Sequence, residues 1–406
     1  MIYSLPKIFI VHHIDTEGPL KEDFNKTNPL IDPHLSNYKE SWAEVDEMLF
    51  RILSDDFRHE FKDNYGNGWI FNWHIMDHAG FDLNPRHRDL GYLNVFDHYV
   101  NILNQTNSSD KDEIHWHFHP IHYKKQANIC ATSYDNSYSI LHQILCRRLI
   151  DRNWFPIVNR AGLHTERPDS NLFLEQWIPF DASNQSIEND DYYTNGRFGD
   201  WKGAPNDWSI YQPDIYDWRK PGNCNRYISR VLNLKARFRN ITINEIRNAF
   251  IKAKNENTHV YLGITDHDFR EISIEIKNFY KILRQVSLEF PSVNFCFSKA
   301  INAFRTVLNL NIDNDKITME SDVKKNLLRI RIKKGEPFGS QPYLAIKTKN
   351  EDYLHDNLDF GIFKKEYYYT FDEHTVPLEM VDQIKIAVND KYGNQCINNV
   401  SNGDES

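Results

Sequence analysis

Through about the first 300 residues of this 406-residue chain, short apolar runs of strand length alternate with stretches of helical periodicity. That alternation constrains the fold more than any other feature, because it is the pattern of βα units. Strand-like runs cover residues 8–15, 69–75, 114–118, 156–159, 178–181, 259–265 and 293–297. Helices fall between them, and the clearest begins at Thr242. There Thr242 and Glu245 match a capping box, and Ile246, Ala249, Phe250 and Ala253 form one apolar stripe. Strands joined through helices run parallel, so the expected architecture is an α/β barrel or a doubly wound sheet. Both place their chemistry beyond the carboxyl ends of the strands.

After about Asn309 the period changes to two, as in Leu328, Ile330, Ile332, in Leu344, Ile346, and in Ile384, Ile386, Val388. This predicts a small antiparallel β-sandwich. The expected division is a barrel over 1–308, a sandwich over 309–398 and a disordered tail over 399–406. Within the barrel, residues 184–226 form a long polar stretch rich in tryptophan and tyrosine. It either packs over the barrel or forms a sugar-binding lid, with Trp201 and Trp208 as the candidate contacts.

A net charge of −9 offers no basic field for phosphate, which argues against nucleic acid or an anionic membrane surface as a partner. No apolar run reaches the roughly 18 residues of a spanning helix, and residues 1–6 do not read as a signal peptide. Cys130, Cys146, Cys224, Cys296 and Cys396 are scattered and odd in number. They suggest neither a disulfide framework nor a thiolate metal site, and a cytoplasmic location is the expectation.

Histidine and carboxylate carry the chemical signal. At the end of the first strand Asp15 and Glu17 project to one side, with His13 below them. One carboxylate can bind a metal while the other stays free as a base. In the run from Ile114 to His119, period-two geometry sets His115, His117 and His119 on one face, opposite Ile114, Trp116 and Phe118. A carboxylate and two imidazoles meet the ligand count of a catalytic zinc site with one open position. His117 and His119 lie nearest the strand end, His115 would support them from below, and His122 is an outlying candidate. Arg160 follows the fourth strand, Asp181 the fifth, and His267 stands between Asp266 and Asp268 after the sixth. A neighbouring carboxylate would raise the pKa of His267 and suit it to general acid work. Arg86 and Arg88 are further possible substrate contacts.

In this order the motifs resemble those of the NodB-type polysaccharide deacetylases, over roughly residues 7–305. The resemblance implies a distorted (β/α)7 barrel and a metal-dependent hydrolase that removes acetyl groups from carbohydrates, in a divergent branch serving surface-polysaccharide biosynthesis. It implies Asp15 as catalytic base, Glu17, His117 and His119 as ligands of a divalent ion such as zinc, and Arg160 with Gly162 as the motif that orients the base. Asp181 matches the aspartate motif and His267 the general acid. Glu17 stands where the family more often has aspartate, and family spacing would pair His115 with His119. Two other readings are open: a different amidohydrolase or phosphoesterase barrel, its second metal drawing on His74, Asp77 or His78, and a non-catalytic carbohydrate-binding protein.

Overall fold

The structure, a computed structural model, describes residues 5–19, 38–78, 92–120, 122–123, 133–190, 199–236, 238–310 and 316–400. In its first part the strands are β1 (Lys7–Thr16), β2 (Phe71–His78), β3 (Glu113–His119), β4 (Val158–Ala161), β5 (Phe180–Asn184), β6 (Tyr227–Asn233), β7 (Val260–His267) and β8 (Asn294–Phe297). The helices are α1 (Trp42–Ile52), α2 (Asp55–Glu60), α3 (Tyr92–Gln105), α4 (Tyr138–Arg152), α5 (Pro168–Trp177), α6 (Ile243–Glu256), α7 (Ile272–Glu289) and α8 (Ala300–Val307). Strands β1 to β7 pair in sequence order and β7 returns to β1, so seven parallel strands close a barrel.

All seven expected strands occur, but the last of them, β8, is not the strand that completes the ring. It pairs with Lys7–Ile10 of β1, on the edge that β2 occupies from His12 onward. Asn72 stitches this seam: its amide donates to the carbonyls of His12 and Ser298, and its oxygen accepts the Ala300 N–H at 2.7 Å. Closure comes instead through β6, which the apolar periodicity misses. Ser229 and Arg230 interrupt its pattern, because Arg230 leaves the wall to pair with Glu245 at 2.6 and 2.8 Å. The same contact corrects the expected capping box. Thr242 accepts the Glu245 N–H at 3.2 Å, while the Glu245 carboxylate turns to Arg230 rather than back to the cap.

Inside the barrel the lower layers are apolar. Phe9, Val11, Val158, Phe180, Val231 and Tyr261 meet Phe304 of α8, which stacks on Phe180 at 4.5 Å. Above them the inward positions turn polar, and the histidines begin. No helix among the described residues is long and apolar enough to cross a membrane.

The second part holds two four-stranded antiparallel sheets. One runs β13-β14-β10-β9, from β9 (Thr318–Lys324), β10 (Leu327–Lys334), β13 (Asp359–Phe360) and β14 (Glu366–Thr370). The other runs β12-β11-β15-β16, from β11 (Tyr343–Thr348), β12 (Tyr353–Asp356), β15 (Val381–Asn389) and β16 (Gln395–Val400). The alternating residues read from the sequence, Leu328 to Val388, are the buried core between them. β16 pairs Asn399 with Lys385 and Val400 with Ile384, so strand continues into the expected tail; residues 401–406 lie outside the described set.

The sandwich is fastened to the barrel. Tyr343 is fully buried, its hydroxyl 2.9 Å from His142 Nδ1 on α4, and its ring stacks on His355 at 4.2 Å. Asn389 donates to the carbonyls of Pro156 and Trp177 at 2.8 and 2.9 Å. At Gly339 a Cβ would stand 1.8 Å from the Gln176 carbonyl oxygen, so only glycine permits this approach. These contacts brace the barrel against the sandwich.

Candidate metal centre

β3 supplies the centre because alternate residues face opposite sides of the barrel wall. Trp116 and Phe118 point outward into the core under α4, and Trp116 donates to Asp77 at 3.0 Å. His115, His117 and His119 point inward and are buried. They do not act together. His119 Nε2 lies 2.9 Å from His117 Nε2, and Glu17 Oε1 lies 3.4 Å from the first and 3.7 Å from the second. His115 instead turns down toward Glu113 and Asn72, at 3.2 and 3.4 Å. Glu17, His117 and His119 thus form a buried group that could hold a metal ion, with His115 outside it.

The donor set fits such an ion. Ligands about 2.1 Å from a tetrahedral centre stand roughly 3.4 Å from one another, close to the separations seen. The His117 Nδ1–H donates to the Arg160 carbonyl at 2.8 Å. A carbonyl can only accept, so Nε2 keeps its lone pair for the group. Gly162 makes room: a Cβ there would come within 2.5 Å of His119 Cδ2 and of the Phe118 carbonyl oxygen.

Asp15 sits beside this group at 0 % exposure. Arg160 Nε donates to both its oxygens, at 2.8 and 3.0 Å, which fixes the direction of the carboxylate. The rest of the guanidinium is engaged by the Ala182 carbonyl at 2.7 Å and by His164 Nδ1 at 3.1 Å. His164 is a partner that sequence reasoning passed over; its only signal is its place four residues after Arg160. Burial, and then the Arg160 charge, push its pKa well down, so it is neutral and accepts from the guanidinium. Leu163 and His164 both take left-handed backbone, φ 55°, and the Trp201 indole N–H clamps the turn by donating to the His164 carbonyl at 2.8 Å.

His267 closes the other side, its Nε2 3.7 Å from Asp15 and 3.9 Å from Glu17. Its flanking acids do not orient it. Asp266 pairs with Arg270 at 2.6 Å, and Asp268 accepts from Gly18 N–H at 2.8 Å and from Tyr99 at 2.6 Å. Asp268 thereby anchors the turn that carries Glu17. Burial lowers the His267 pKa against the raising pull of Glu17 and Asp15, the reverse of the expected shift.

Other expected site residues are placed elsewhere. Asp181 pairs in register with Asn159, which neighbours the outward Trp116, so it faces away from the barrel interior. There it meets Arg226, which also holds Glu166 at 2.9 and 3.0 Å. Trp201 and Trp208 are both buried, so neither offers a face to a sugar. Trp208 donates to the Glu245 carbonyl at 3.0 Å under the Arg230 guanidinium. Asp77 is bound to Arg148 at 2.6 Å outside the wall, and His122 packs on Tyr123 at 4.1 Å. Arg86 and Arg88 lie outside the described residues.

Compared with models of known protein families and with curated proteins, the chain matches none.

Proposed function

We propose that the chain is a metal-dependent carbohydrate deacetylase, hydrolysing an acetyl group from an acetylated sugar or glycan, in surface-polysaccharide biosynthesis. One observation carries the reading: an arginine-held carboxylate, Asp15, stands next to the Glu17, His117 and His119 group, with His267 within 4 Å of both acids. A buried base, a ligand set and an acid candidate around one point form the constellation that amide or ester hydrolysis requires.

Glu17 Oε1 and the Nε2 atoms of His117 and His119 would hold a divalent ion, zinc being the one this donor set suits well. The chemistry supplied by such an ion is polarisation of a carbonyl and a lowered pKa for water. Asp15, aimed by Arg160, takes the proton from the attacking water. Arg160 is in turn held by His164 and the Ala182 carbonyl, so the base cannot swing away. His267 hands a proton to the departing amine or alcohol, with Asp15 and Glu17 opposing the loss of its charge on burial.

Acetate release from acetylated oligosaccharides by the zinc-loaded chain tests the reading. Asp15→Asn and His267→Ala should each lower the rate by about a hundredfold or more while leaving zinc bound. Native-like rates in both variants would sink it.

A further inference from the structure

The largest apolar exposure in the described structure is not at the barrel. It lies on the hairpin that joins β13 to β14, where Phe360 is 69 %, Ile362 97 % and Phe363 70 % exposed. No other large apolar side chain among the described residues is as open as Ile362. The hairpin is well formed. Phe360 pairs with Tyr367, Gly361 N–H donates to the Glu366 carbonyl at 2.8 Å, and Glu366 N–H donates to Phe363 at 3.2 Å. Isolated exposed apolar residues are ordinary, but three within four positions on a convex tip mark an interaction surface.

Charge around the tip says what covers it. Lys364 follows at once, with its side chain 86 % exposed, and Lys365 is tied to the Gly335 carbonyl at 2.7 Å, which brings Lys333 and Lys334 of β10 alongside. On the same face Arg329 and Arg331 share Glu366 at 2.6 and 2.7 Å. Against these six cations stand Glu366, Glu320, Glu336 and Asp359, and Asp322 opposite Arg329 is offset by Lys324 at 3.9 Å, so the hairpin and its surroundings keep a positive balance in a chain of net charge −9. The whole-chain charge conceals this patch. A symmetric pairing of two copies would bring these lysines face to face, and a two-residue edge strand is too short to be extended by a neighbour. Apolar side chains at a tip backed by lysines match a bilayer carrying anionic headgroups.

We propose that the β13–β14 hairpin is a peripheral docking element for an anionic lipid bilayer, inserting Ile362 and Phe363 among the headgroups with the lysines against their phosphates. The element is independent of the barrel chemistry.

The test is cosedimentation of the full-length chain with vesicles of phosphatidylcholine alone and of phosphatidylcholine mixed with phosphatidylglycerol. Binding is expected to the mixed vesicles and to weaken with added salt. Ile362→Asp and Phe363→Asp should each weaken it at least about tenfold. Lys334→Glu with Lys364→Glu should weaken it at least about 25-fold, at about fivefold for each lysine lost. All these positions are at the surface, so thermal unfolding should match the native chain, and a folded variant that binds undiminished overturns the proposal. Two further outcomes overturn it: a native chain that stays in the supernatant with the mixed vesicles, and a native chain that sediments alone as a dimer which Phe363→Asp converts to monomer.

Discussion

Two groups of histidines share the barrel interior, and they behave differently. The upper group, His117 and His119 with Glu17, converges its ligand atoms on one point. The lower group, His13 and His74 with His115 beside them, is strung out. His74 Nδ1 donates to the Trp116 carbonyl at 3.3 Å, so its Nε2 accepts from His13 Nδ1 at 2.7 Å, and His13 Nε2 accepts from the Tyr261 hydroxyl at 2.8 Å. Every proton in that chain is assigned once the carbonyl is recognised as acceptor only. Burial pushes both imidazoles well below their ordinary pKa, so the lower chain is a neutral, satisfied polar core. The contrast teaches that histidine count does not make a metal site. A carboxylate oxygen and ring nitrogens that converge on one point do, and of the two groups the upper one has both.

Zinc affinity should separate the two groups most sharply. His117→Ala or Glu17→Gln should weaken zinc by more than about a hundredfold in a chelator competition, since even residues that only support ligands are worth 10–100-fold. His74→Gln should leave affinity nearly unchanged; a comparable loss there would erase the distinction. A third set of imidazoles, His142 and His355 at the junction with the sandwich, extends the contrast to acid. Burial holds His355 at about 4 and, with His355 adding to it, His142 at about 3, against an ordinary 6.5. The unfolded chain therefore takes up protons that the folded chain refuses, and stability is complete above the unfolded value and falls as pH drops toward the folded ones. At about pH 5 the loss should be roughly 2 kcal/mol per imidazole, read as a lower urea midpoint, and His142→Gln with His355→Gln should flatten that dependence. Gly162→Ala reaches the upper group and the strand beside it. Its Cβ would meet both the His119 ring and the Phe118 carbonyl oxygen, so zinc should bind about tenfold more weakly and the urea midpoint should fall as well. The mildest change, Tyr261→Phe, removes one donor from the lower chain and should cost about 1 kcal/mol in urea with zinc affinity intact.

Much of the barrel was legible because strand and helix periods are local properties. Thr242, the apolar stripe of α6 and the strand cores all follow from them. β6 was not legible, since its arginine is accommodated by Glu245, a residue on the next helix, and by the Trp208 ring. Trp201 and Trp208 read as candidate sugar contacts because composition cannot distinguish a face turned to solvent from one packed behind a wall. Asp181 was read as following its strand, but β5 runs Phe180–Asn184, so Asp181 stands near the start of the strand and on its outer side. Its register partner Asn159 alternates with the inward Arg160, and a single position reverses the face.

By itself the sequence determined that parallel strands alternate with helices, that a sandwich follows, and that Asp15, Glu17 and the β3 histidines share one face. Those outcomes rest on Cβ directions that alternate with every residue and need no distant partner. Only the tertiary structure decided which histidines meet Glu17, where Arg160 reaches and what the tryptophans do. Closure of the ring sets the height and curvature at which β1, β3, β4 and β7 face one another. Whether two ring nitrogens converge depends on that geometry, to within an ångström.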